Sequence, residues 1–124
     1  MSCIFCQKDK FNKVLENKKA FAIYDKYPVN KGHMLIIPRR HYSDFFESTS
    51  AELKGLYDLL VKAKEILNEE YNPDGFNIGI NNGQAAGQTV MHLHIHIIPR
   101  YKGDVEDPRG GIRHLKEELV PYRG

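Results

Sequence analysis

Val90 to Pro99 reads VMHLHIHIIP, and no other stretch of the chain restricts its fold as tightly. His92, His94 and His96 alternate with Leu93, Ile95 and Ile97. Successive side chains of a β-strand point to opposite faces, so this pattern predicts a strand with one imidazole face and one aliphatic face. The aliphatic face needs a core to pack on, and the imidazole face needs a polar site or a cleft. Half of the chain's 6 histidines fall in this one stretch, which argues against a merely solvated face.

The rest of the chain supplies that core. Lys19–Tyr24 (KAFAIY) reads as a strand, Lys31–Gly32 as a turn, and His33–Pro38 (HMLIIP) as a buried strand. Ser50 to Glu70 reads as the one long helix. Thr49 and Glu52 have the spacing of a capping box, and Leu53, Leu56, Tyr57, Leu60, Ala63 and Leu67 recur as an apolar stripe. Asn72–Gly75 turns the chain into a strand at Phe76–Asn81 (FNIGIN), and Asn82–Thr89 is a small-residue loop. A short helix is expected at Ile112–Leu119. The order strand–strand–helix–strand–strand argues against a repeated βαβ pattern and for one α+β domain over residues 1–124 with a mostly antiparallel sheet.

Composition excludes several function classes. With 124 residues, 41% hydrophobic and 27% charged, neither disorder nor a fibrous repeat is indicated. A net charge of +2 does not imply a nucleic-acid partner. Apolar runs such as Met34–Pro38 are far too short for a bilayer core of about 30 Å, so no membrane partner is expected. The start, MSCIFCQKDK, lacks an extended apolar region after a basic segment, so the expected location is cytoplasmic. A structural disulfide between Cys3 and Cys6 is then improbable, and their C-x-x-C spacing leaves a redox pair or half of a zinc site.

Three imidazoles on one strand do not suit a shared metal. His92 and His96 would start roughly 13 Å apart at about 3.3 Å per residue, too far for ligands bound at about 2.0–2.1 Å. Nucleophilic and acid–base chemistry fits better. An ordinary imidazole titrates at about 6.5 and is mostly neutral at pH 7, so one ring can attack phosphorus while its neighbour handles a proton. The loop NNGQAAGQT offers backbone N–H groups and the Thr89 hydroxyl to a phosphate.

The triad HLHIHII, with GQTVM before it and PR after, resembles the signature of the histidine-triad (HIT) family. IIPRRH, INNGQAAGQTV and the N-terminal CIFC extend the resemblance over most of Cys3–Arg100. It implies a mostly antiparallel sheet of about five strands, one long helix and a short C-terminal helix. The implied activity is nucleotide hydrolysis at an α-phosphate, with His94 as nucleophile and His96 assisting the leaving group. The His92 carbonyl would accept the Nδ1–H of His94, and His33 would support the triad from the neighbouring strand. Asn81, Gln88 and Thr89 match phosphate-contacting positions, Asp25 a ribose-holding one, and Ile23 and Tyr24 lie near the base. Bacterial-type relatives with a CxxC start bind a structural zinc at positions matching Cys3, Cys6, His41 and His92; no catalytic cofactor is required. Thr89 and the tail YKGDVEDPRGGIR resemble diadenosine tetraphosphate hydrolases. A nucleoside phosphoramidate hydrolase, or a nucleotide-binding interaction module, is the alternative, and His96 counts against the uridylyltransferase branch, which has glutamine there. The family also implies a homodimer.

Overall fold

The computed structural model of the chain describes residues 3–7 and 10–116. Five strands, β1 (Leu15–Glu16), β2 (Ala20–Tyr24), β3 (Met34–Pro38), β4 (Gly75–Gly79) and β5 (Ile95–Arg100), form one sheet in the order β1-β2-β3-β5-β4. Every neighbouring pair is antiparallel. The long helix, α1 (Ser50–Tyr71), lies between β3 and β4 in sequence. The architecture is the expected α+β class. In place of the start of the expected C-terminal helix there is a 3-10 turn at Gly111–Arg113, and residues 117–119 lie outside the described residues. Among the described residues no helix is long and apolar enough to cross a membrane.

Period-two alternation gives the sheet two different faces. On one, Ala20, Ala22, Met34, Ile36, Ile95 and Ile97 pack against Leu56, Leu59, Ala63 and Leu67 of α1. Each fully buried aliphatic side chain there is worth about 1.5–3 kcal/mol. On the other face Phe21, Ile23, Leu35 and Ile37 pack with Phe5 and Phe11 from the N-terminal segment. The register places Ile23 beside Leu35, Leu35 beside His96, and His96 beside Gly79. His96 therefore lies on the face away from the helix, between an aliphatic wall and a residue with no side chain.

The helix begins where the capping box predicts. Thr49 Oγ1 accepts from the Glu52 N–H at 3.1 Å, and Glu52 Oε1 accepts from the Thr49 N–H at 2.9 Å. Arg40 forks onto the same carboxylate at 2.8 and 2.9 Å. The helix stops one residue later than expected, because Asn72 takes up a left-handed conformation (φ 48°) before Pro73. The apolar stripe needs correction: Leu59 is buried, whereas Leu53 and Tyr57 are 41% and 65% exposed. The sheet covers the line Leu56–Leu59–Ala63–Leu67, and the neighbouring flank carrying Leu53, Tyr57 and Leu60 extends past its edge beside Ile78 and Ile80.

The histidine strand is also shorter than its pattern. Pairing with β3 is confined to Ile95, His96 and Ile97, and residues 90–94 precede the strand. Leu93 instead donates its N–H to the Tyr42 carbonyl at 2.6 Å. Alternation survives from Leu93 to Ile97, but His92 leaves the imidazole face and is fully buried.

Gly32 holds the β2–β3 connection in a conformation (φ +90°) that places it against Leu67, Tyr71 and Pro99. A Cβ there would sit 2.8 Å from Leu67 Cδ2 and 3.0 Å from Tyr71 Cδ2. Gly32→Ala is therefore expected to cost about 2–4 kcal/mol in urea unfolding, from strain plus overpacking. Gly75→Ala, whose Cβ meets nothing within 4 Å, is the control and should stay within about 1 kcal/mol. Equal effects at the two positions would refute the steric account.

Candidate active site and metal cluster

His94 and His96 lie side by side, ring centroids 5.2 Å apart. Each ring has one nitrogen committed to a protein partner, and that commitment determines what the other offers. His94 Nδ1 lies 2.9 Å from the His92 carbonyl, an oxygen that only accepts, so His94 carries its proton on Nδ1 and presents a bare Nε2. A carbonyl in a regular strand points to the neighbouring strand, so this bond depends on the irregular backbone before β5.

His96 is fixed through His33. The Val29 N–H donates to His33 Nδ1 at 3.0 Å, which leaves the His33 proton on Nε2. That atom lies 2.9 Å from His96 Nδ1, so His96 Nδ1 accepts and its own proton sits on Nε2. Asp25 Oδ2 lies 3.4 Å from the same His33 nitrogen, and Asp25 Oδ1 accepts from the Tyr27 N–H at 2.8 Å. Burial, and then the neighbouring His94 and His33, hold His96 down to about 4, so it is neutral at pH 7. Burial also lowers His33, against an opposing pull from Asp25. Asp25, His33 and His96 bring metal-ligand atoms close together, but a proton on the shared His33 nitrogen makes this a hydrogen-bond chain rather than a metal site.

Two cavities meet at this pair. One, of about 820 Å³, takes in His94 together with Ile23, Tyr24, Asp25, Thr89 and Phe5. The other, of about 790 Å³, takes in His33, Asn77, Ile98 and Arg100. Asn81, Gly87 and His96 line both. Gln88 departs from its expected place. Its side chain is buried, accepting from the Gly83 N–H at 2.8 Å and donating to the Ser43 and Val90 carbonyls at 3.2 Å. A buried amide with three backbone partners shapes the loop and has no side-chain atom turned to the cleft. Phe5, Phe11 and the Val29 N–H did not emerge from residue patterns. Phe5 alone carried a sequence signal, its position between the two cysteines of C-I-F-C.

Cys3, Cys6, His41 and His92 converge, their ligand atoms all within 4.8 Å of one another. The His92 Nε2–H donates to the Pro38 carbonyl at 2.8 Å, which leaves Nδ1 unprotonated and facing the thiols. Cys6 Sγ lies 3.3 Å from His41 Nδ1, Cys3 and Cys6 lie 3.5 and 3.6 Å from His92 Nδ1, and the two imidazole nitrogens are 3.1 Å apart. A tetrahedral ion with bonds of about 2.3 Å to sulfur and 2.05 Å to nitrogen has edges of about 3.6 Å (S···N) and 3.3 Å (N···N). The four residues fit such an ion.

Residues 7–103 match the HIT domain family, and the chain belongs to it. An uncharacterized HIT-like protein of Methanocaldococcus jannaschii is 43% identical over 108 residues, covering 84% of this chain and 83% of that protein. The AP-4-A phosphorylase of Mycobacterium tuberculosis is 36% identical over 92 residues, which is 73% of this chain but 47% of that enzyme. Among solved structures, a Zn-bound histidine triad family protein from Mycobacterium smegmatis superposes with a TM-score of 0.76 at 31% identity, covering 99% of this chain and 86% of that one.

Proposed function

We propose that the protein hydrolyses nucleotides at an α-phosphate through a nucleotidyl-histidine intermediate, with dinucleoside polyphosphates of the diadenosine tetraphosphate kind as substrates. The observation that carries this reading is the complementary pair of ring atoms: a bare Nε2 on His94 beside an Nε2–H on His96. His94 Nε2 attacks the α-phosphorus. A P–N bond forms as the bond to the leaving oxygen breaks, and the His96 Nε2–H donates a hydrogen bond to the phosphate that departs as an anion. Water then attacks the phosphorus, the P–N bond breaks, nucleoside monophosphate leaves, and the water's proton passes to solvent.

His33 acts as the donor that keeps His96 in the useful tautomer. Asp25 holds the ribose hydroxyls, Ile23 and Tyr24 flank the base, and Asn81 and Thr89 contact the phosphates; Gln88 acts through the loop it ties together. The residues work as one domain over 1–124. His96, held down to about 4, is a poor source of a full proton. A phosphate leaving group needs none, whereas an amine does, which favours polyphosphates over phosphoramidates. The AP-4-A phosphorylase among the relatives supports the same choice.

The test is nucleoside monophosphate release from diadenosine tetraphosphate and from adenosine phosphoramidate, side by side. The expected kcat/KM ratio favours the polyphosphate by about tenfold or more, roughly 1.4 kcal/mol of transition-state preference. A ratio in the other direction would reassign the substrate, and release from neither by folded protein would overturn the hydrolase reading.

The metal cluster holds a structural zinc, supported by its tetrahedral edges and by the Zn-bound relative. The reduced thiols it needs suit a cytoplasmic, reducing compartment. The protein works as a homodimer, with a second copy on the flank of Leu53, Tyr57 and Ile78, beside β4 at the edge of the sheet. Exposed aliphatic and aromatic side chains next to an edge strand are what a second sheet covers. Ile78→Lys is expected to halve the mass seen by analytical ultracentrifugation at micromolar concentration; a monomeric wild type would refute the dimer.

A further inference from the structure

We propose that the Cys3/Cys6/His41/His92 cluster orients the nucleophile as well as tethering the N-terminal segment. Two contacts join it to His94. His92 offers its side-chain Nδ1 to the cluster and its own carbonyl to His94 Nδ1 at 2.9 Å, so the residue that binds metal also fixes the tautomer of the attacking ring. Phe5 sits in the 3-10 turn Ile4–Cys6, inside the cysteine pair. It is 7% exposed and meets the His94 ring edge-on, centroids 5.1 Å apart at 66°, and the His92 ring at 6.0 Å and 87°.

An imidazole held at one nitrogen still swings about its side-chain torsions, and Phe5 blocks that swing on one side. The turn's own hydrogen bonds, Cys6 N–H to the Cys3 carbonyl and Gln7 N–H to the Ile4 carbonyl, are internal to it. They shape the turn without attaching it to the sheet. Packing of Phe5 on Phe21, Ile23, Leu35 and Ile37 holds the turn on the sheet, and ligation of Cys3 and Cys6 adds a second attachment that Phe5 carries to His94. Phe5 and His92 are thus positioning residues. A displacement of about 1 Å in a reacting group costs on the order of a hundredfold in rate, so a modest loosening is visible.

The kinetic consequence rests on His94 being the nucleophile, but the ring's orientation is measurable without substrate. The experiment is ¹⁵N-histidine NMR and AMP-release kinetics on the full chain, zinc-loaded and chelated, as wild type and as Phe5→Ala. Zinc-loaded wild type is expected to show His94 in a single Nδ1–H tautomer. Phe5→Ala is expected to keep one zinc per chain and a wild-type circular dichroism spectrum, to lose that single state, and to lower kcat by about ten- to a hundredfold. Chelated wild type should lose the single state and show a similar fall in kcat. His94 spectra and kcat within twofold of wild type in Phe5→Ala overturn the proposal, as does a folded, chelated protein with an unchanged His94 spectrum. Should chelation unfold the chain, the Phe5→Ala arm decides. Absent turnover in every form would sink the nucleophile assignment, while the histidine spectra still decide the positioning.

Discussion

Alanine in place of His94 is expected to lower kcat for nucleoside monophosphate release by about 10⁴-fold or more, the scale seen when a catalytic nucleophile is removed. The bare Nε2 is what the His92 carbonyl prepares, and among the described residues the other unprotonated ring nitrogens at the meeting of the cavities are already used as acceptors: His33 Nδ1 accepts from the Val29 N–H and His96 Nδ1 from the His33 Nε2–H, while His96 Nε2 carries hydrogen. Binding of AMP should change by less than about fivefold, since Asp25, Ile23, Tyr24 and Thr89 line the same cavity independently of His94. Rapid acid-free quenching should trap a nucleotidyl adduct in wild type and none in His94→Ala. A mutant that turns over within tenfold of wild type would exclude the covalent route and leave His94 as an electrostatic group.

Withdrawal of metal should produce the largest loss of stability. An ion that binds the folded chain and is present at about a thousandfold over its Kd adds about 4 kcal/mol. For a domain of this size that corresponds to a fall in Tm of about 12–20 °C on chelation. Acid should have the same sign for three reasons. Thiolate and imidazole ligands protonate and release the metal. His96 lies near 4 when folded against an ordinary 6.5, so the unfolded chain takes up that proton first and stability falls as pH drops from about 6.5 to 4. Glu52 is held at about 2 by the Arg40 hydrogen bonds against an ordinary 4.5, so its contribution is complete above about 4.5 and fades toward 2. Calorimetric scans with and without chelator across this range test all three, and a metal-free Tm within about 2 °C of the loaded one would show that the cluster carries no stability.

Much of the fold was legible because it is written in local patterns. The Thr49–Glu52 capping box placed the start of α1 to the residue, since both partners lie three positions apart in one turn. KAFAIY and HMLIIP gave β2 and β3 to within a residue at their starts, because alternation and β-branched content act over five or six neighbours. The helix stripe was misplaced toward Leu53 and Tyr57 because periodicity reveals an apolar arc, while the position of the sheet decides which part of it is covered.

His94 beside His96 follows from spacing, as does the separation of imidazoles from aliphatics between Leu93 and Ile97. The sequence by itself determined the order β2, β3, α1, β4, β5, the start of α1 and the chemistry available in the histidine stretch. Tertiary structure decided the rest. His92 left its neighbours for Cys3, Cys6 and His41, residues 51 to 89 positions away in the chain. His33 met His96 across 63 positions, and only that contact assigned the His96 proton. Gln88 turned inward, to the backbone of Ser43. Each of these depends on a hydrogen-bond or ligand partner brought near by folding, and a nitrogen's role as donor, acceptor or ligand belongs to the pair rather than to the residue.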